Sequence, residues 1–142
     1  MKNPVIDLRG YVDTRLIEDA DLSAVLGDRI YFEEAPLKAG SKAEPFITFT
    51  FLSVRHVNGN GAMRGMSDVL LQITGHAVGN EMSTLETVAH RIDTLFAGQF
   101  MGQYGDLHVA GGVGEEAIHD TQFLNNTMYQ RAGGVYRLFC HY

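Results

Sequence analysis

The sequence predicts an α+β fold, in which helices pack on one face of a mainly antiparallel or mixed sheet of about four to five strands. Three observations predict it. Residues 81–97 carry Leu85, Val88, Ala89, Ile92, Leu95 and Phe96 at a spacing that fits a period of about 3.6 residues, so one face of a helix is apolar. Residues 46–57 and 68–78 are rich in β-branched and aromatic side chains and flank a glycine-rich stretch, as two strands of a hairpin would. The N-terminal 28 residues hold two shorter helical patterns. A chain of 142 residues with no internal repeat and no linker suits one domain spanning 1–142.

In chain order, Asn3 is a good N-cap and Pro4 suits the first helical position, where its missing N–H costs nothing. Val5, Leu8, Val12 and Leu16 then form one stripe to about Asp19, weakened in the middle by Gly10. A second short helix starts from Asp21 as cap, presents Leu22, Val25 and Leu26, and ends at Gly27. Arg29 to Phe32 reads as a brief strand, and residues 33–45, polar and with two prolines, as a loop. Phe46 to Val57 is a long strand, residues 58–66 a glycine-rich hairpin tip, and Asp68 to Val78 the returning strand. Asn80 caps the long helix and Gly98 closes it. Leu107 to Ala110 forms a short strand. Ala117 to Leu124 and Met128 to Tyr142 form a last antiparallel pair around the turn Asn125-Asn126-Thr127, with Glu115 and Glu116 on a solvated turn before it.

Composition narrows the function. Hydrophobic residues make up 45% and charged residues 20%, the balance of an ordinary globular domain. No apolar run approaches the roughly 20 residues that span a bilayer, and the first residues lack a signal-peptide pattern, so a cytoplasmic origin and no membrane partner are expected. The single cysteine, Cys140, excludes an internal disulfide and a thiolate-rich zinc site, and its apolar surroundings make it a buried structural thiol. Net charge is −6 and the bases are scattered, which argues against a phosphate-gripping surface.

Strand alternation divides the hairpin into two faces. Ile47, Phe49, Phe51, Val69, Leu71 and Ile73 belong under the helices. The opposite face carries Phe46, Thr48, Thr50, Leu52, Leu70, Gln72, Thr74 and His76, semi-apolar and threonine-rich with almost no charge. It reads either as a wet outer face or as one that a neighbouring subunit covers. Met63, Arg64 and Met66 lie in the tip, where the methionines suit docking on a partner, although such a tip can also be merely mobile. The candidate interface is therefore Phe46, Thr48, Thr50, Leu52, Gln72, Thr74 and His76, with Met63, Arg64 and Met66.

Chemistry finds little support. The six histidines occur singly, with no metal-binding spacing. His56 and His76 fall on adjoining strands, and His90 follows Glu86 by four residues, a spacing that suits a local side-chain pair as well as a ligand. There is no G-x-S-x-G elbow and no phosphate loop, and Gly111-Gly112-Val113-Gly114 lacks the following helix of a dinucleotide fingerprint. No catalytic residue, cofactor or metal is expected.

The order of these features resembles the tail-completion, or tail terminator, family of long-tailed phages and prophages. The residues that carry the resemblance are Leu22 to Tyr31, where Leu-Gly is followed by Asp28-Arg29-Ile30-Tyr31, then Pro36, Pro45 to Phe49, Val69 to His76, Ala89 to Phe96, and Tyr136 to Leu138. The match runs from about residue 10 to the end. It implies a structural virion protein, not an enzyme: a homo-oligomeric ring, commonly a hexamer, on the end of the tail tube. Such a ring terminates tail polymerisation and offers a docking surface for the head. The implied partners are the tail tube protein and a head-completion or neck protein, with DNA passing through the lumen without specific binding. The implied place is the host cytoplasm during assembly and then the virion. A neighbouring neck component, such as a head-tail joining protein, or a small-ligand-binding or enzymatic domain using the histidines, are the rival readings.

Overall fold

The computed structural model describes residues 3–35, 44–56, 66–78, 82–98, 102–124 and 126–142. Helix α1 spans Pro4–Ile17, and the Asn3 side chain accepts a hydrogen bond from the Val5 N–H at 3.0 Å, as its cap position requires. Helix α2 spans Ala20–Leu26. Its cap is Asp19 and not Asp21: the Asp19 carboxylate accepts the Leu22 N–H at 3.1 Å, the N3 contact that satisfies an orphan donor. Both aspartates stand near a helix start, and the helix begins two residues earlier than the apolar pattern shows.

Six strands follow among the described residues: β1 Ile30–Phe32, β2 Phe46–His56, β3 Ser67–Val78, β4 Gly102–Tyr104, β5 Leu107–Leu124 and β6 Thr127–His141, with helix α3 Met82–Phe96 between β3 and β4. They form one curled sheet in the order β1-β2-β3-β6-β5-β4. β1 runs parallel to β2 and every other pair is antiparallel, so the sheet is mixed. The expectation of four to five strands therefore falls short.

The sequence reading departs from the observed sheet at two strands. β4 is three residues long, too short to carry an alternation signal. β5 is one continuous strand where the sequence suggested a short strand, a glycine turn and a second strand. Pairing with β6 holds Gly111 to Glu116 extended, and two irregularities, between Val109 and Gly111 and between Gly114 and Glu116, absorb the strain of that long ribbon. Glu115 and Glu116 are thus strand residues. The hairpin is also tighter than expected: Leu124 pairs with Thr127, and Asn126 takes φ 62°, a left-handed conformation that asparagine tolerates well.

The core lies between the helices and one face of the sheet. Leu8, Val12 and Leu16 of α1, Leu22 and Leu26 of α2, and Val88, Ile92 and Phe96 of α3 pack on Ile47, Phe49, Val69, Leu71, Ile73 and Leu138. Phe51 packs against this cluster partly buried, so all six expected residues face the helices. Two long-range polar contacts pin the helices together: Arg15 Nε donates to the Leu95 carbonyl at 2.8 Å, and Arg91 Nη2 meets Asp19 at 2.5 Å. The Asn80 and Glu81 capping positions lie outside the described residues.

Candidate functional site

Strand register decides which side chains share the face away from the helices. Phe46 opposes His76, Thr48 opposes Thr74 and Thr50 opposes Gln72 across β2 and β3, and His76 opposes Arg131 of β6, which opposes Asp120 of β5. All of these except Asp120 line a concavity of about 530 Å³, with Glu33 and Glu34 after β1 and Gln122 of β5 also on its wall. Six of the expected interface residues, Phe46, Thr48, Thr50, Gln72, Thr74 and His76, come together here.

Leu52 does not join them. The register of β2 against β3 shifts between Phe51 and Ser53, which puts Leu52 in a bulge, about half exposed and away from the concavity. Met66 is exposed next to the start of β3, while Met63 and Arg64 lie outside the described residues.

The face is less open than the alternation implied. Phe46, Thr74 and His76 are all buried within the single chain. The His76 ring stacks on Phe46 with centroids 4.4 Å apart and 11° between planes, and Tyr129 meets Phe46 edge-on at 5.4 Å. His76 Nε2 and Thr48 Oγ1 share a hydrogen bond of 2.9 Å. Burial, aided by the Arg131 charge and opposed by Asp120, pulls the imidazole down to about 4, so His76 is neutral near pH 7. Its Nδ1 has no partner and is sealed from solvent, as is Gln122 Oε1, so neither atom is presented to the concavity. Arg131 forms a two-pronged pair with Asp120, at 2.5 and 2.6 Å, which lowers the Asp120 carboxyl and occupies the guanidinium.

At the other end of the same face stands a charge cluster that alternation alone did not reveal. Asp68 is only 5% exposed and accepts Arg137 Nη1 at both oxygens, 2.8 and 2.7 Å, and Arg55 at 3.1 Å, while Arg137 Nε meets Glu115 at 2.5 Å. The partners of Arg131 and Arg137 were not legible because the hairpin register was off by a residue and Glu115 was placed on a turn. Opposite charges across a predicted hairpin are the signal that finds such pairs.

The remaining candidates for chemistry separate in space. His56 and His76 sit at opposite ends of the β2–β3 pair, and His56 Nδ1 instead meets the Ser67 hydroxyl at 3.0 Å. His108 and His141 stack across β5 and β6 at 5.1 Å, a pairing the sequence did not suggest. Among the described residues no group of three or more His, Cys, Asp or Glu is placed to hold a metal ion. Cys140 is buried, donates weakly to the Ser67 carbonyl at 3.8 Å, and burial with the nearby Asp68 charge pushes its thiol up to about 11. That keeps it protonated and a poor nucleophile. No described helix is long and apolar enough to cross a membrane.

No protein-family model matches this chain, and no curated protein does. A solved structure whose name states no function is similar over 100% of this chain and 98% of its own, at a TM-score of 0.59 and 15% sequence identity. At that identity the likeness concerns the fold alone.

Proposed function

We propose that this chain is a structural subunit of the tail-completion kind: copies form a ring, commonly of six, on the end of a phage tail tube, stop its growth and present a docking surface to the head or neck. Two things support the reading. The order of motifs from Leu22 to Leu138 resembles that family. The observation that carries it is the hollow sheet face at Thr48, Thr50 and Gln72, which the described helices leave bare and whose β2 and β3 floor carries no lysine or glutamate there. Arg131 is already neutralised by Asp120, so a partner seated there meets a polar floor without an unpaired cation, walled on one side by Glu33 and Glu34.

In this reading the work of the protein is complementary binding rather than chemistry. One surface of the ring fits the last ring of the tube and another meets the neck, and acidic side chains facing the lumen let DNA pass without sticking. Gln72→Lys tests the face directly. It places a charge in a contact that must be desolvated, so it weakens assembly at least about tenfold while the fold survives, since Gln72 is only half-buried. Light scattering on the chain alone and with tubes built from a tube protein of the same genome provides the measurement. Unchanged rings in the variant exclude this face, and binding to DNA-filled heads in place of tubes makes the chain a neck component.

A further inference from the structure

The hollow on the outer sheet face is lopsided in charge. Its wall beside β1 carries Glu33 and Glu34, both exposed, and neither forms an ion pair with a described residue. Their backbone is fixed at the rim: the Glu33 N–H donates to the Phe49 carbonyl and the Glu34 N–H to the Phe32 carbonyl, each at 2.8 Å. The cation on the opposite wall, Arg131, is held at both arms by Asp120. β2 and β3 lie between the two walls, which therefore stand about three strand spacings, or about 14 Å, apart along the sheet. That exceeds the Debye length of about 8 Å at physiological salt, so Arg131 does little to cancel the carboxylates.

The floor between the walls holds unused hydrogen-bonding groups. Thr74 is only 2% exposed, yet its side chain has no hydrogen-bond partner among the described residues, and the same is true of half-buried Thr50 and Gln72. Closing such groups under a partner is costly unless that partner bonds to them. An ammonium or a guanidinium offers several donors and no acceptor, which suits a floor of hydroxyl and amide oxygens beside two carboxylates. We infer that the hollow receives a lysine or arginine side chain carried by a segment of a partner protein. Its cationic head meets Glu33 and Glu34, and the polar groups of the segment meet Thr50, Gln72 and Thr74.

Two features select that occupant. The hollow, about 530 Å³, is far larger than one cationic group, and exposed carboxylates alone hold a free cation weakly, so the charge must arrive with further contact area. The described part of a second copy does not supply it. Each described arginine already rests on a ring, a carbonyl or a carboxylate of its own chain, and no lysine lies among the described residues. The inference rests on the reading of this face as a contact surface and names the chemistry of what it contacts. A chain that binds basic segments here but ignores tubes refutes the tail role and leaves the occupant standing. A chain that stops tubes but selects no basic segment keeps the tail role and loses the occupant.

Selection from a library of random displayed heptapeptides on the immobilised full-length protein tests it. The expected result is that enriched peptides hold a lysine or arginine, and that glutamine in its place weakens binding of the synthetic peptide about tenfold. Glu33→Gln with Glu34→Gln weakens the same peptides about threefold to tenfold. Glu18→Gln with Glu86→Gln makes an equal change in net charge at exposed acids outside the hollow, and leaves binding unchanged. Amide NMR shifts caused by the bound peptide fall at Thr48, Thr50 and Gln72. Enriched peptides without a basic residue, equal weakening by the two double variants, or shifts confined to other surfaces overturn the proposal. A selection that enriches no peptide overturns it as well.

Discussion

His76 shows how burial of one polar side chain couples this face to pH. Its ring lies on Phe46, its Nε2 meets Thr48, and its Nδ1 has no partner, so protonation would place a charge beside Arg131 in a poorly hydrated spot. The folded imidazole titrates near 4 against an ordinary value of 6.5. Between those values the unfolded chain binds the proton and the folded chain does not, so stability is full above about pH 6.5 and falls as pH drops toward 4. The loss amounts to about 3 kcal/mol across that window. His76→Phe keeps the stack and removes the titration, so urea unfolding from pH 7 to pH 4 will show a flatter decline in the variant. A variant with the same decline as the parent would assign it to other groups. Strand parity alone put His76 on the correct face. Its burial was not legible, because Arg131, which opposes it, and Tyr129, which packs on the Phe46 ring it stacks against, come from β6, more than 50 residues along the chain.

At the scale of elements, the α2 start is a tertiary joint as well as a cap. The Asp19 carboxylate caps α2 and grips Arg91 of α3, which holds its carboxyl below the usual range, and its side chain is 8% exposed. Asp21 touches Arg91 only at 3.5 Å and is 67% exposed. Asp19→Ala will therefore cost about 2 kcal/mol in chemical denaturation, through the lost cap and the unpaired guanidinium, and Asp21→Ala less than about 0.5 kcal/mol. Equal effects would show that α2 begins where the apolar pattern suggested. The elements read well from sequence were those with a full periodic signal: α1 with its Asn3-Pro4 start, α3, β2 and β3. The elements read poorly depend on distant partners. Gly111-Gly112-Val113-Gly114 has the local character of a turn, and only the β6 strand beside it makes it part of an 18-residue strand.

For the molecule as a whole, a six-stranded mixed sheet carries three described helices on one face and a hollow on the other, and among the described residues parts of β2 and β5 have no strand beside them on their outer edges. A monomer gains nothing from such edges, and they expose it to uncontrolled pairing. A net charge of −6 adds a general repulsion between copies in solution. Simple alternation made the threonine-rich half of the outer face of β2 and β3 visible, but not the charge cluster around Asp68 at its other end. The bare edges were not visible, since an edge is defined by which strand fails to arrive beside it.

The measurement that tests the central claim most directly is electron microscopy of tail tubes polymerised with and without the purified chain. The account predicts tubes that stop growing when the chain is added and carry a ring of its copies at one end. Tubes of unaltered length with bare ends, at chain concentrations well above that of tube ends, would contradict it.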